Sequence, residues 1–185
     1  MKKLLLLLFF LNTGQLFAQN SFSVELSLGY AYQNELIATQ PNLYNDDAIG
    51  LRAGANFSRS LTRLIYLETG LFGKYNRGQK SMELVNFTSH NFRIQIPVML
   101  GINPIAKWRF SAGLGLENNR DFDDFNLFSK HKNIRYDLLT KFIYSYTSHI
   151  NFSVYTNWSL SRSPDIYSVS SPENGVYLGL IYRLR

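Results

Sequence analysis

Apolar and polar residues alternate strictly along several stretches of the chain. Between residues 22 and 32, every even-numbered position is apolar or aromatic, and the odd-numbered positions hold serine, glutamate, glycine or alanine. This period of two places the apolar side chains on one face of a β-strand, whereas a helix would distribute them around its axis. The same alternation returns at residues 49–57, 150–160 and 176–184. The pattern therefore predicts strands with one apolar face.

Four further segments show the same period less regularly, at residues 65–75, 91–102, 109–117 and 134–146. Together with the first four they give eight strands of roughly ten residues, close to the length that a tilted strand needs to cross a bilayer. Pro97 lies inside one of these segments. Because proline cannot donate a backbone hydrogen bond, it predicts a β-bulge at this point.

The connections between the predicted strands alternate in length. The short connections are residues 58–63, 103–106 and 147–149, and the long ones are residues 34–47, 76–85, 118–133 and 161–174. Short periplasmic turns and long extracellular loops are typical of outer-membrane barrels. The sequence therefore predicts an all-β fold, an eight-stranded antiparallel up-and-down transmembrane β-barrel.

The N-terminal segment has the features of a secretory signal peptide. Lys2 and Lys3 precede an apolar run at residues 4–11, and cleavage is expected after Ala18. A retained membrane anchor is the alternative, but the apolar run is short for a spanning helix. We therefore expect a signal peptide at residues 1–18 and one barrel domain at residues 19–185.

Composition and charge exclude several function classes. Loss of Lys2 and Lys3 lowers the formal net charge from +6 to +4, and no block of like charges indicates nucleic-acid binding. The chain has no cysteine, which excludes disulfides and thiolate metal sites. Twelve tyrosines, fourteen phenylalanines and two tryptophans accompany a charged fraction of only 17%. Many of these rings fall near predicted strand ends, where outer-membrane barrels carry aromatic girdles.

The polar face of the strands is expected to point inward. An eight-stranded barrel is just wide enough to be filled by side chains, and charges are costly in lipid. We expect a charge network that fills the interior, with glycines leaving room for the long arginines. Its predicted members are Glu25, Arg52, Glu68, Arg93, Arg109, Glu117, Arg135, Asp137 and Lys141. The alternative, a soluble calycin-like barrel with its faces reversed, leaves the aromatic strand ends and the alternating loop lengths unexplained.

Residues 91–100 read Asn-Phe-Arg-Ile-Gln-Ile-Pro-Val-Met-Leu, and a Gly113-Leu114-Gly115 strand follows after a short turn. With these features the chain resembles the PorT-like outer-membrane β-barrel family of bacteria. The resemblance implies a bacterial outer-membrane location and a barrel fold. It implies no particular activity.

The sequence offers no catalytic constellation, cofactor motif or metal-binding motif. Two Ser-His pairs, at residues 89–90 and 148–149, are adjacent, and adjacent residues on a strand point to opposite faces. The aspartates of the third long loop lack the spacing and the closing glutamate of an EF-hand. That loop is instead the candidate contact surface, formed by Asp121, Phe122, Asp123, Asp124 and Phe125.

These features favour a non-enzymatic, monomeric outer-membrane barrel with a structural or binding role. The expected partners are outer-membrane lipid, the barrel assembly machinery and a protein that binds the extracellular loops. Two alternatives remain open. One is a lipid-modifying outer-membrane enzyme, whose activity would depend on His90, and the other is an accessory subunit of a secretion system.

Overall fold

The computed structural model describes residues 20–33, 47–82, 85–122, 133–160 and 173–184. The eight strands are β1 (Asn20–Gln33), β2 (Asp47–Ser60), β3 (Ile65–Met82), β4 (Val85–Ile105), β5 (Trp108–Phe122), β6 (Asn133–Ser145), β7 (Ile150–Ser159) and β8 (Glu173–Leu184). Each pairs antiparallel with its neighbours in sequence, and β8 pairs with β1 to close the barrel. The predicted eight-stranded antiparallel barrel is confirmed. In the described ranges, no helix is long and apolar enough to cross a membrane. The expected signal peptide lies outside them.

The strand register fixes the width of the barrel. Following the paired residues once around the wall from Ser21 leads back to Ala31 on the same strand, a stagger of ten residues. For eight strands with this stagger, the strands tilt by about 40° and the backbone cylinder has a radius of about 8 Å. Inward-pointing side chains fill a cylinder of this size.

The two ends of the barrel differ. Residues 61–64, 106–107 and 146–149 connect strands at one end, which we call the turn end. The opposite end, where β1 and β2, β3 and β4, β5 and β6, and β7 and β8 are joined, is the loop end. Of the loop-end connections, the structure describes that between β3 and β4 almost completely, because these two strands stay paired as far as Met82 and Val85.

The outward face of the wall forms an apolar belt. Its exposed members include Leu26, Leu28, Leu51, Leu71, Ile94, Ile96, Leu100, Leu114, Leu138, Val154, Leu178 and Leu180. Aromatic rings lie at both margins of this belt. At the turn end, the ring centroid of Trp108 lies 4.7 Å from Phe142 and 4.5 Å from Tyr144. Exposed rings toward the loop end belong to Tyr30, Tyr75, Phe92 and Trp158.

The bounds of several predicted connections are wrong, and two of them differ most from the structure. Residues 76–85, expected to form a long loop, belong mostly to the paired ends of β3 and β4. At the other end, β4 continues through residues 103–105, with a register shift between Ile102 and Ile105. The alternating pattern reports a strand with one apolar face, so it is lost where a paired ribbon extends beyond the apolar belt. Backbone pairing itself does not require that pattern.

The predicted bulge at Pro97 is also wrong. Thr69 pairs with Val98 and Phe72 pairs with Gln95, so no extra residue is inserted between these two points. The ladder simply lacks the two intervening pairs. The Thr69 hydroxyl donates to the carbonyl oxygen of Pro97 at 2.9 Å. Proline has no backbone N–H group to donate. Because β3 and β4 leave these two pairs unformed, they accommodate Pro97 without a change of register.

Candidate functional site in the barrel interior

Charged and amide side chains fill much of the barrel interior. Eight of the nine residues predicted for the charge network are buried, each at most 4% exposed. The ninth, Arg109, is half-buried near the turn end, where its guanidinium lies 5.9 Å from the ring centroid of Tyr66. Burial of this many ionisable groups is costly unless each charge is paired and hydrogen-bonded.

Glu25 on β1 accepts hydrogen bonds from side chains on four strands, the fourth through Lys141 of β6. Its Oε1 accepts from Arg52 Nη1 at 2.9 Å, from the Ser27 hydroxyl at 3.1 Å and from the Ser153 hydroxyl at 3.2 Å. Its Oε2 accepts from Asn56 Nδ2 at 2.9 Å. Both carboxylate oxygens of Glu25 are therefore engaged, although the side chain is fully buried.

Lys141 on β6 joins Glu25 to a second carboxylate. Its Nζ lies 2.7 Å from Glu25 Oε2 and 2.6 Å from Glu68 Oε1. Two carboxylates, Glu25 and Glu68, thus face two cations, Arg52 and Lys141. These four residues, with Asn56, form what we call the Glu25 cluster. Its formal charges balance, so it needs no ion from solution.

A second group surrounds Glu117 nearer the loop end. Its Oε2 lies 2.9 Å from Lys74 Nζ and 3.3 Å from Gln95 Nε2, and its Oε1 lies 3.1 Å from Arg93 Nη1. The amide of Gln95 also donates to Asp137 Oδ2 at 3.2 Å. Glu117, Lys74, Arg93, Gln95 and Asp137 form the Glu117 cluster. Arg135, the remaining predicted member, pairs with Glu117 in the strand register.

Arg52 and Tyr155 connect the two clusters. The guanidinium carbon of Arg52 lies 3.3 Å from the ring centroid of Phe72 and 4.0 Å from that of Tyr155. Its Nε and Nη2 make no hydrogen bond, so cation–π contact with the two rings takes the place of further hydrogen bonds. The Tyr155 hydroxyl donates to Gln95 Oε1 at 2.7 Å. One continuous set of contacts therefore runs along the interior.

The sequence interpretation missed several members of this interior. Lys74, Gln95, Phe72 and Tyr155 carry contacts within or between the clusters but were not among the nine predicted residues. The signal that could have found them was present. Lys74 lies six residues after Glu68 on the same strand, so the period of two places both on the inward face.

The expected reason for the inward glycines was also wrong. A Cβ at Gly50 would lie 2.8 Å from Tyr177 Cε1, and one at Gly175 would lie 2.7 Å from Tyr177 Cε2. A Cβ at Gly101 would overlap the ring of Tyr66. These glycines therefore leave room for aromatic rings rather than for arginines. Rigid rings cannot move aside, whereas arginine side chains have several rotatable bonds.

The residues proposed as a loop contact lie at or beyond the end of β5. Asp121 and Phe122 are its last residues, and their backbones pair with Asn91 and His90 of β4. Asp123, Asp124 and Phe125 lie outside the described residues. Of the histidines, His90 contacts the Tyr75 hydroxyl through Nδ1 at 2.6 Å. Within the described ranges, no group of three or more potential metal ligands occurs.

Comparison with known proteins shows the fold and no closer relationship. No protein-family model matches the chain, and no curated protein is significantly similar to it. Neisserial surface protein A is similar in structure, with a TM-score of 0.57 and 10% identity, covering 90% of this chain and 99% of that one. A structure from the de novo design of transmembrane β-barrels has a TM-score of 0.51 and 12% identity, covering 89% and 95%. The chain thus has the fold of small transmembrane barrels.

Proposed function

We propose that the chain is a monomeric integral protein of the bacterial outer membrane. In this proposal it is not an enzyme. Its interior is closed to solutes by side chains, and its role is structural or depends on a partner bound at the loop end. Outer-membrane lipid surrounds the apolar belt, and the barrel assembly machinery inserts the chain. The resemblance at residues 91–100 supports membership of the PorT-like family.

The observation that carries this proposal is the distribution of side chains across the closed wall. Leu28 and Leu178 on the outward face are 62% and 66% exposed, whereas Arg52 and Lys74 on the inward face are 0% exposed. A protein dissolved in water would expose the charges and bury the leucines. A closed barrel also satisfies its backbone hydrogen bonds without an edge, as a lipid environment requires.

The ionic interior supports a role without solute passage. Arg52 of the Glu25 cluster contacts Tyr155, which links it to the Glu117 cluster, and neither residue has exposed surface. A solute crossing the barrel would have to separate Glu25 from Arg52 and Glu117 from Lys74. We therefore expect the purified protein to give no stepwise conductance in a planar bilayer. Steady channel openings with the wild-type protein would contradict a closed interior.

The location is tested by fractionation combined with electrophoresis. The protein should fractionate with outer membranes, and its band should shift between unheated and boiled samples, because a closed barrel stays folded in cold detergent. A matched control is an aliquot of the same membranes dissolved in urea before loading, which should migrate as the boiled form. Recovery in the soluble fraction without a heat shift would contradict the proposal.

The contact surface is tested separately by changing the third loop. A variant with Asp121→Asn, Asp123→Asn and Asp124→Asn removes the acidic charges, and a second with Phe122→Ala and Phe125→Ala removes the rings. Both variants should keep the heat shift of the barrel, because the changed residues lie at or beyond the end of β5. Surface cross-linking in whole cells should lose a product seen with the wild type. If every cross-linked product persists in both variants, the loop is not the contact surface.

A further inference from the structure

The turn end of the barrel holds a cavity that lies outside both ionic clusters. Its volume is about 560 Å³, and we call it the turn-end cavity. Its walls come from inward residues of the strands and from the short turns. The residues that line it include Ser58, Tyr66, Lys107, Arg109 and Arg183. A space of this volume admits a small solute in addition to water.

The charges around the turn-end cavity are all positive. Lys107, Arg109 and Arg183 line it, and no acidic residue of the described ranges does. Glu68 lines only a narrower recess below it, and the carboxylate of Glu68 is already bound to Lys141 at 2.6 Å. The cavity thus differs from the Glu25 cluster, where carboxylates and cations are equal in number. No carboxylate of the described residues therefore faces these cations across the cavity.

Contacts position Arg109 and the backbone of Arg183 in the cavity wall. The guanidinium carbon of Arg109 lies 5.9 Å from the ring centroid of Tyr66, and its Nε makes no hydrogen bond within the described structure. The backbone of Arg183 is fixed to the β6–β7 turn, since its N–H donates to the carbonyl oxygen of His149 at 2.7 Å. Hydroxyl groups, including that of Ser58, complete the polar wall. Guanidinium groups bind oxyanions such as phosphate through paired hydrogen bonds.

We infer that the turn-end cavity binds a phosphate group through Arg109 and Arg183, with Lys107 adding charge. The group could be carried by a small soluble phosphate or by a phospholipid headgroup at the membrane margin, since both present the same tetrahedral oxyanion. Outer-membrane barrels carry their short turns in the periplasm, so the source of the phosphate rests on the proposed function. The binding chemistry itself does not, so it is testable on the purified barrel.

The test measures phosphate binding to the purified full-length protein in a maltoside detergent. Calorimetric titration with inorganic phosphate should give saturable binding with a Kd of about 1 mM or tighter. The double variant Arg109→Gln with Arg183→Gln should weaken binding by about tenfold or more, because it removes charged hydrogen-bond donors. The matched control is Arg63→Gln, which removes a cation from an exposed turn at the same end. It should bind like the wild type.

Lipid retention separates the two sources. Native mass spectrometry of the protein from nanodiscs containing phosphatidylglycerol should show a retained lipid only if the headgroup is the ligand. Loss of that lipid in the double variant, without inorganic phosphate binding, assigns the headgroup. Failure of both probes to bind the wild type overturns the inference, as does equal weakening in the Arg63→Gln protein.

Folding of the variants is controlled independently. The heat shift reports the barrel, so a variant that lacks the shift is not interpreted for binding. In that case Arg183→Lys serves instead, because it keeps the charge and loses the paired guanidinium donors. It should bind phosphate more weakly than the wild type, and unchanged binding overturns the role of Arg183. Recovery of the protein in the soluble fraction would contradict the proposed function without affecting this result.

Discussion

The two faces of the barrel wall are built from neighbouring residues of the same strands, yet they are stabilised differently. Leu26 on the outward face belongs to a belt in which any apolar side chain meets the same requirement. Glu25, the preceding residue, accepts five hydrogen bonds from four strands. The outward face therefore specifies a class of side chain. The inward face specifies individual residues and their partners.

The largest expected effect is at Glu25. Glu25→Gln keeps the shape of the side chain but removes the carboxylate that pairs with Arg52 and leaves Lys141 with Glu68. Removing one member of a buried ion pair costs about 3–5 kcal/mol in the free energy of unfolding. Urea unfolding of the barrel in lipid vesicles, followed by tryptophan fluorescence, measures the loss. Ser27→Ala is the control and should cost only about 1 kcal/mol. If Glu25→Gln lowered the free energy of unfolding no more than Ser27→Ala, the inward face would not depend on individual ion pairs.

The next largest effect is expected for a charge on the outward face. Leu26 lies midway along β1 between Phe22 and Tyr30, which places it near the centre of the apolar belt. Leu26→Arg should lower the free energy of unfolding in vesicles by about 2–4 kcal/mol, because the guanidinium would enter lipid. Leu26→Phe should change it by less than about 1.5 kcal/mol. A harmless arginine at this position would show that the belt faces water.

Adding a methyl group at an inward or an outward glycine compares the packing of the two faces, with a smaller expected change in the free energy of unfolding. A Cβ at the inward Gly113 would overlap the backbone carbonyl of Val98, whereas a Cβ at the outward Gly73 would lie 3.5 Å from the ring of Phe92, an ordinary contact. Gly113→Ala should therefore cost about 1–3 kcal/mol through overpacking. Gly73→Ala should be close to neutral, and the same urea titration compares the two. Equal effects would mean that the inward wall is no more tightly packed than the outward wall.

The smallest effect is expected for a polar pair on the outer surface. The hydroxyls of Thr140 and Thr156 lie 2.6 Å apart and can hydrogen-bond to each other. Replacing both with valine removes donor and acceptor together, so the double variant should be within about 0.5 kcal/mol of the wild type. Thr140→Val alone leaves the Thr156 hydroxyl without its partner and should be less stable than the double variant. The opposite order would contradict a lipid environment for this pair.

The sequence predicted the fold well because the faces of a strand are encoded locally. Glu25, Arg52 and Lys141 could each be assigned to the inward face from their immediate neighbours. Their pairing could not, because Lys141 lies 116 residues from Glu25 and meets it only through the stagger of the closed barrel. The inward face of Tyr155 was equally predictable, since it shares the parity of Asn151 and Ser153, but its hydrogen bond to Gln95, 60 residues away, was not.

The closure of β8 onto β1 has a consequence for the order of events during assembly. Glu25 belongs to the first strand, and its partners Lys141 and Ser153 belong to the sixth and seventh. A chain whose last strands have not yet joined the wall keeps the Glu25–Arg52 pair between β1 and β2 but lacks Lys141, the cation that joins Glu25 to Glu68. Contacts so distant in sequence form late and slowly. The interior thus favours completion of the barrel, since an unfinished wall leaves Glu68 without the cation that binds it once β6 is in place.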